Sequence, residues 1–230
     1  MSDKEFEFGE SKLIIKNFDI EKMIEPFSIG IFSKIATGKS FLTKELVYHK
    51  RHIDSVIAIN ETEKSNHFYT DFISENNVYS EYDSSILSNI YEKQFKLNNE
   101  LLLIMDDCIS PKGTWSKDPN ITELFFNGRH HRISFMLTMR YPVGIPPEMR
   151  SNFDYIFLLA EDTINNRKRL YEHYADMFPS FDIFQQVFSD ITENYGVMVI
   201  DNRGHSKNIT DNVFWYKAKQ VPSFKVGPNA

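Results

Sequence analysis

Residues 29–40 read Ile-Gly-Ile-Phe-Ser-Lys-Ile-Ala-Thr-Gly-Lys-Ser, an apolar run that breaks into a short turn. The run predicts a buried strand. The residues after it predict a helix over Lys39–His49, with Phe41, Leu42, Leu46 and Val47 as its apolar stripe. Strand, turn and helix in that order make a cradle for phosphate. Turn N–H groups point at the anion, the positive helix start favours it, the lysine reaches the outer phosphates, and the serine hydroxyl is placed for Mg²⁺. The residues expected around such a phosphate are Ser33, Lys34, Ile35, Ala36, Thr37, Gly38, Lys39, Ser40 and Phe41. The usual pattern is G-x-x-x-x-G-K-[ST], and Ser33 stands where the first glycine belongs. A Gly-Lys-Ser at the start of an unrelated helix would give the same letters, so the turn needs a second element beside it.

That element is Leu-Leu-Leu-Ile-Met-Asp-Asp over residues 101–107. A continuous apolar run ending in acids is the pattern of a buried parallel strand that opens into a site. In nucleoside-triphosphate hydrolases with this loop, a strand expected beside the phosphate loop ends this way. Its first acid serves Mg²⁺ and a second can polarise the attacking water. Asp106 fits the first role, with Ser40 as the other metal-side residue, and Asp107 fits the second. A core strand followed by an Asp-rich turn is the alternative reading of the same residues.

Alternation of strand and helix patterns continues along the chain. Strands are expected over 12–16, 27–32, 55–60, 77–82, 101–107, 134–141, 155–160, 196–201 and 213–217, and helices over 84–97, 121–129, 164–177 and 181–193. The pattern predicts an α/β fold with a mostly parallel central sheet covered by helices on both faces, and ligands at the carboxyl ends of the strands. Ser33, Asp106 and Arg140 all fall at such ends. The 230 residues suit one domain, with 1–26 as an N-terminal edge extension and 202–230 as a C-terminal hairpin and tail. No apolar stretch is long enough to span a bilayer, and the acidic start does not read as a signal peptide. A lone cysteine, Cys108, excludes an internal disulfide framework and reads as a buried thiol at a strand end. The net charge of −6 argues against a monomer that coats nucleic acid with a broad basic face, but leaves room for a ring gripping DNA with a few residues per subunit.

The motifs resemble those of the genome-packaging ATPases of poxviruses and giant DNA viruses, which belong to the FtsK–HerA superfamily of P-loop motors with a RecA-like core. The likeness rests on Ala-Thr-Gly-Lys-Ser-Phe-Leu-Thr-Lys at 36–44, Ile-Met-Asp-Asp-Cys at 104–108, and the run from Phe125 to Asp154 with its Asn-Gly-Arg-His-His-Arg and Thr-Met-Arg-Tyr-Pro-Val-Gly-Ile-Pro-Pro passages. The resemblance implies a homo-oligomeric ring, pentameric or hexameric, that hydrolyses ATP with Mg²⁺ and drives double-stranded DNA into a capsid. Its implied partners are capsid or inner-membrane components, and its implied place is the virus factory of the host cytoplasm and the virion. Carried over by position, Lys39 and Ser40 hold phosphates and metal, Asp106 serves the metal and Asp107 polarises water. Arg140 stands where a polar sensor of the γ-phosphate would end its strand. Ring ATPases complete the site with an arginine from the neighbouring subunit, for which Arg129, Arg132 and Arg150 are the candidates.

Other residues carry weaker readings. His130 and His131 diverge if helical and have no Cys or His partner at a metal-ligand spacing. Trp115 between Lys112 and Lys117 reads either as an aromatic–basic grip on a DNA backbone or as a mobile solvent loop. Competing functions are a small-molecule kinase, with Arg167 and Arg169 as its lid, and a nucleotide-binding scaffold with little turnover.

Overall fold

A strand apolar at every position needs cover on both faces, and the arrangement of the elements provides it. The computed structural model describes residues 2–9, 11–97, 99–108, 115–140, 144–204, 206 and 208–227. In chain order the strands are β1 (Lys4–Phe8), β2 (Ser11–Asn17), β3 (Ser28–Phe32), β4 (Ser55–Asn60), β5 (Val78–Tyr79), β6 (Leu101–Asp106), β7 (Ile133–Met139), β8 (Tyr155–Leu158), β9 (Gly196–Asp201) and β10 (Val213–Lys217). The helices are α1 (Lys39–His49), α2 (Glu63–Asn66), α3 (Ser84–Leu97), α4 (Pro119–Asn127), α5 (Pro147–Arg150), α6 (Ile164–Tyr174), α7 (Phe181–Thr192) and α8 (Ile209–Asn212). Among the described residues the strands form one ten-stranded sheet in the order β1-β2-β10-β9-β8-β3-β7-β6-β4-β5. From β8 through β5 every pairing is parallel, while β8–β9, β9–β10 and β1–β2 are antiparallel.

Period-two alternation sorts the side chains between the two faces. Leu101, Leu103 and Met105 of β6 join a cluster with Ile90 of α3, Leu124 of α4 and Phe184 of α7. Leu102 and Ile104 point the other way and join Leu42, Leu46 and Val47 of α1. Each such side chain, taken fully from water, stabilises the fold by roughly 1.5–3 kcal/mol. No helix among the described residues is long and apolar enough to cross a membrane.

Several boundaries differ from the sequence expectation for identifiable reasons. The first hairpin has an extra strand, β1, in which Phe6 is buried between exposed charges. Helix α4 begins at Pro119 rather than 121, because the Asp118 carboxylate accepts from the Asn120 N–H at 2.9 Å and caps it, and proline suits the first turn. Only Val78–Tyr79 of the expected strand over 77–82 pairs in the sheet. Trp115 contradicts both of its readings. It is 7% exposed in a short 3₁₀ turn and packs in the main core cluster, so its ring is not available to stack on a base. Lys112 lies outside the described residues, whereas Lys117 is exposed.

The junction from α7 into β9 is tight at Gly196. A Cβ there would sit 1.9 Å from the Ile191 carbonyl oxygen, which is backbone and cannot swing aside. Gly196→Ala is therefore expected to lower the unfolding free energy by at least about 2 kcal/mol, read from denaturant titration. Wild-type stability in the variant would show that this junction tolerates displacement.

Candidate active site

The phosphate loop leaves β3 in a conformation its sequence explains. The Ser33 N–H donates to the Met139 carbonyl at 3.1 Å, tying the start of the loop to the end of β7. The Thr37 hydroxyl donates to the Lys34 carbonyl at 2.8 Å, and Ala36 (φ 65°) and Gly38 (φ 98°) turn the chain into α1 in the left-handed region. Gly38 is the cap of α1, so no cap side chain bonds to the helix's free N–H groups, and no acidic residue sits in its first turn. The positive end of the helix is thus left to an external anion. It faces a cleft of 380 Å³ whose wall includes Ser33, Lys34, Ile35, Ala36, Gly38, Lys39, Ser40 and Phe41. Thr37 lines a neighbouring hollow instead. The Ser33 hydroxyl is buried without a hydrogen-bond partner among the described residues, a polar group left open on the wall of a polar cleft.

Across the cleft lie the acids. The Lys39 ammonium donates to Asp106 Oδ1 at 2.7 Å, to Asp107 Oδ2 at 2.5 Å and to the Thr138 hydroxyl at 3.1 Å. The acid strand is not the neighbour of the loop strand: β7 lies between β3 and β6, which corrects the sequence expectation. That intervening strand is what brings Thr138 into the site. Thr138 is in register with Asp106, is fully buried, and donates its hydroxyl to Asp106 Oδ1. The other carboxylate oxygen of Asp106 accepts from Asn60 Nδ2 at 2.7 Å and from the Tyr69 hydroxyl at 2.9 Å. Asp107 adopts a left-handed φ of 49°, which turns its carboxylate toward Lys39 and Arg140, and Arg140 Nε donates to Asp107 Oδ2 at 3.1 Å. Arg140 also lines the cleft, half-exposed, so its ion pair and its place on the cleft wall coexist.

Thr138, Asn60 and Tyr69 were not singled out from the sequence. Asn60 carried a usable signal, being a polar residue that ends the apolar run of β4 as Asp106 ends that of β6. Thr138 carried a fainter one, a hydroxyl inside an otherwise apolar strand. Tyr69 lies in a turn and showed nothing.

Burial pushes the Asp106 carboxyl upward. The Lys39 charge, with hydrogen bonds from Lys39, Thr138 and Tyr69, more than offsets this and holds it below its ordinary 3.8. The Tyr69 hydroxyl is raised well above its usual value by burial and by the Asp106 charge, so it remains a donor. Burial likewise raises the Cys108 thiol just beyond the acids, which keeps it protonated and packed in the core rather than nucleophilic.

The remaining candidates lie elsewhere. Arg129 pairs with the buried carboxylate of Asp154 at the amino-terminal ends of β3 and β8, opposite the cleft. Arg150 ends α5 and, like Arg129, is not on the cleft wall. His131 pairs with Glu123 at 2.7 Å. Arg167 donates to the Glu161 carbonyl and, at 3.2 Å, to the Ser189 hydroxyl, so it braces α6 against α7 rather than closing over the cleft.

Among the described residues no group of three or more His, Cys, Asp or Glu forms a metal cage. The donor set at the cleft, two carboxylates with the nearby Ser40 hydroxyl, instead suits Mg²⁺, which keeps water and substrate oxygens among its ligands.

Removing Lys39 would leave buried carboxylate charge without its counter-ion. Lys39→Ala is expected to lose about 3–5 kcal/mol of stability, and adding Asp106→Asn should restore part of it, as a double-mutant cycle by denaturant unfolding would show. Additive losses would mean that the pair does not interact. Because the Asp106 carboxyl is depressed in the folded state, its contribution is present above its unfolded value and is lost as pH falls through the folded one. Asp106→Asn should therefore flatten the stability profile below about pH 4. An unchanged acid slope in that variant would place the titration elsewhere.

No protein-family model matches the chain. Curated relatives do. Protein L437 of Acanthamoeba polyphaga mimivirus is 41% identical over 223 residues, covering 91% of this chain and 78% of its own length. Protein 088R of Invertebrate iridescent virus 3 is 35% identical over 209 residues, covering 86% and 80%. Among solved structures, the genome packaging NTPase B204 of Sulfolobus turreted icosahedral virus 2, in complex with AMP, superposes with a TM-score of 0.65 at 14% identity, covering 86% of this chain and 100% of that one. The conjugation coupling protein TcpA of pCW3, with ATPγS, gives 0.61 at 10% identity, covering 91% and 63%. At such identities the solved structures establish the fold alone, the mostly parallel sheet with flanking helices that this chain shares with the P-loop NTPases B204 and TcpA. By its sequence relatives the chain belongs to the family of large-DNA-virus proteins that includes L437 and 088R.

Proposed function

We propose that this protein is a Mg²⁺-dependent ATPase which, as a pentameric or hexameric homo-oligomeric ring, drives double-stranded DNA into a viral capsid. The observation that carries the reading is the Lys39 ammonium seated between Asp106 and Asp107, at a helix start with no cap of its own. The fold it shares with B204, a protein described as a genome packaging NTPase, supports the finer assignment.

The cations that neutralise the acids are the same cations that line the cleft. An incoming triphosphate offers Lys39 and Arg140 a second anionic partner, and their movement toward it frees the Asp107 carboxylate. Asp107 then accepts the proton of a water whose oxygen bonds to the γ-phosphorus. The bond from that phosphorus to the bridging oxygen breaks, and ADP leaves with the electron pair. Thr138 and Asn60 hold Asp106 in place throughout. Mg²⁺, held from the side of Ser40 and Asp106, would neutralise charge on the phosphate oxygens.

Neither Arg129 nor Arg150 lines the cleft of its own chain. A role in hydrolysis for either, or for Arg132, is therefore one in trans across a ring interface, with roughly 10³–10⁵ in rate at stake. The reading places the protein at the virus factory of the host cytoplasm and in the virion, against capsid or inner-membrane components. The bracing of Arg167 against α7 weakens the kinase alternative, whose lid would need that residue.

Purified protein with MgATP and no acceptor is expected to release inorganic phosphate, faster when duplex DNA is added. Asp107→Asn should lower the turnover number at least about 100-fold while leaving ATP binding in place. A phosphorylated small molecule as product, or turnover indifferent to duplex DNA, would contradict the motor. Alanine at Arg129, Arg132 and Arg150 together, with hydrolysis intact, would remove the trans arginine.

A further inference from the structure

A second hollow of 300 Å³ adjoins the phosphate cleft and shares Gly38 and Phe41 with it. Its remaining wall is mostly carbon, from Leu42, Leu159, Val197, Ala218 and Tyr195, with Thr37 and Lys217 as its polar members. Tyr195 is 66% exposed and Phe41 45% exposed, which is unusual placement for two aromatic rings beside a polar cleft.

The backbone holds Tyr195 there against its own preference. Asn194 and Tyr195 both adopt left-handed conformations, with φ 52° and 64°. Such residues cost free energy and persist only where the surroundings enforce them, commonly at ligand sites. The enforcement is visible on both sides. The turn is fixed after Tyr195 by Gly196, which packs against the Ile191 backbone. The ring itself lies over the phosphate loop, where a Cβ built on Gly38 would stand 3.5 Å from Tyr195 Cδ1. A strained turn thus carries an exposed aromatic face to the residue that starts the anion-binding helix.

We propose that this hollow takes the purine base of the nucleotide by its faces and does not read its edge, so that ATP and GTP bind with similar affinity. The inference rests on the reading of the adjoining cleft as the triphosphate site and names the subsite that a base attached to that triphosphate would reach. Aromatic stacking accepts either purine, since each has a π face. Discrimination between them needs hydrogen-bonding groups at the base edge. The hollow is poor in these: the Thr37 hydroxyl already donates to the Lys34 carbonyl, and the one charged side chain on its wall, Lys217, is exposed to solvent.

Calorimetric titration with ATP, GTP and inorganic tripolyphosphate, each with Mg²⁺, tests this. The two nucleotides should bind within about threefold of one another, the pairwise margin expected without edge contacts. Tyr195→Ala should weaken both about tenfold and leave tripolyphosphate unchanged, while Tyr195→Phe should behave as wild type. A preference for ATP over GTP beyond about 30-fold would overturn the face-only mode. An equal loss for tripolyphosphate, or none for ATP, in Tyr195→Ala would overturn the subsite. Failure of tripolyphosphate to bind the wild type at all would instead strike the phosphate reading beneath it. Thermal melting of each variant separates these outcomes from misfolding.

Discussion

One ammonium group organises this molecule's carboxyl-end surface. Lys39 sits where the last residue of β6, the acid just after it, a hydroxyl from β7 and the open end of α1 converge. Taken from water alone, either partner would be expensive to bury. Together they tolerate an environment in which the Asp106 and Lys39 side chains are 6% and 15% exposed. The rest of the site reads as support for that meeting. Asn60 and Tyr69 saturate the far oxygen of Asp106, so its position is set from β4 and the turn beyond it as well as from β6. The left-handed Asp107 breaks the strand where its carboxylate must turn toward the cleft.

Sheet order is what makes such convergence possible from residues so distant in sequence. Because β7 lies between β3 and β6, the loop and the acids stand two strands apart, a gap that the long lysine side chain crosses. A shorter side chain at position 39 would leave the buried Asp106 carboxylate without that cation. The same order puts Arg140, one residue past β7, beside Asp107. Charges on the cleft wall are therefore paired with each other and aligned for an incoming anion, so a ligand that takes the cations must leave the carboxylates with some other positive partner.

Much of this was legible in the residues, and the failures have physical causes. Apolar runs such as 101–105 announce buried strands because nothing else accommodates them, and the expected convergence of Lys39, Ser40, Asp106 and Asp107 is seen in the one cleft that all four line. Strand order was not legible, since each strand carries its own burial signal but none of its neighbour's. Nothing in the residues shows that β7 separates the acid strand from the loop strand, and so nothing brings Thr138 beside Asp106. The burial of Trp115 is not legible, because a Pro- and Gly-rich surrounding predicts an irregular path but says nothing of whether a large ring at its end turns inward. Tyr195 was missed for a related reason: a left-handed turn of non-glycine residues has no sequence signature, only the geometric one.

The central claim is that Lys39 is shared between the acids and the nucleotide, and the affinity for ATP with and without Mg²⁺ tests it most directly. If the triphosphate draws Lys39 away, the carboxylates need another counter-charge, so ATP titrated in saturating Mg²⁺ should bind at least about tenfold more tightly than ATP titrated in chelator. Equal affinities under the two conditions would contradict the account, because they would mean that the acids do not feel the departure of the lysine.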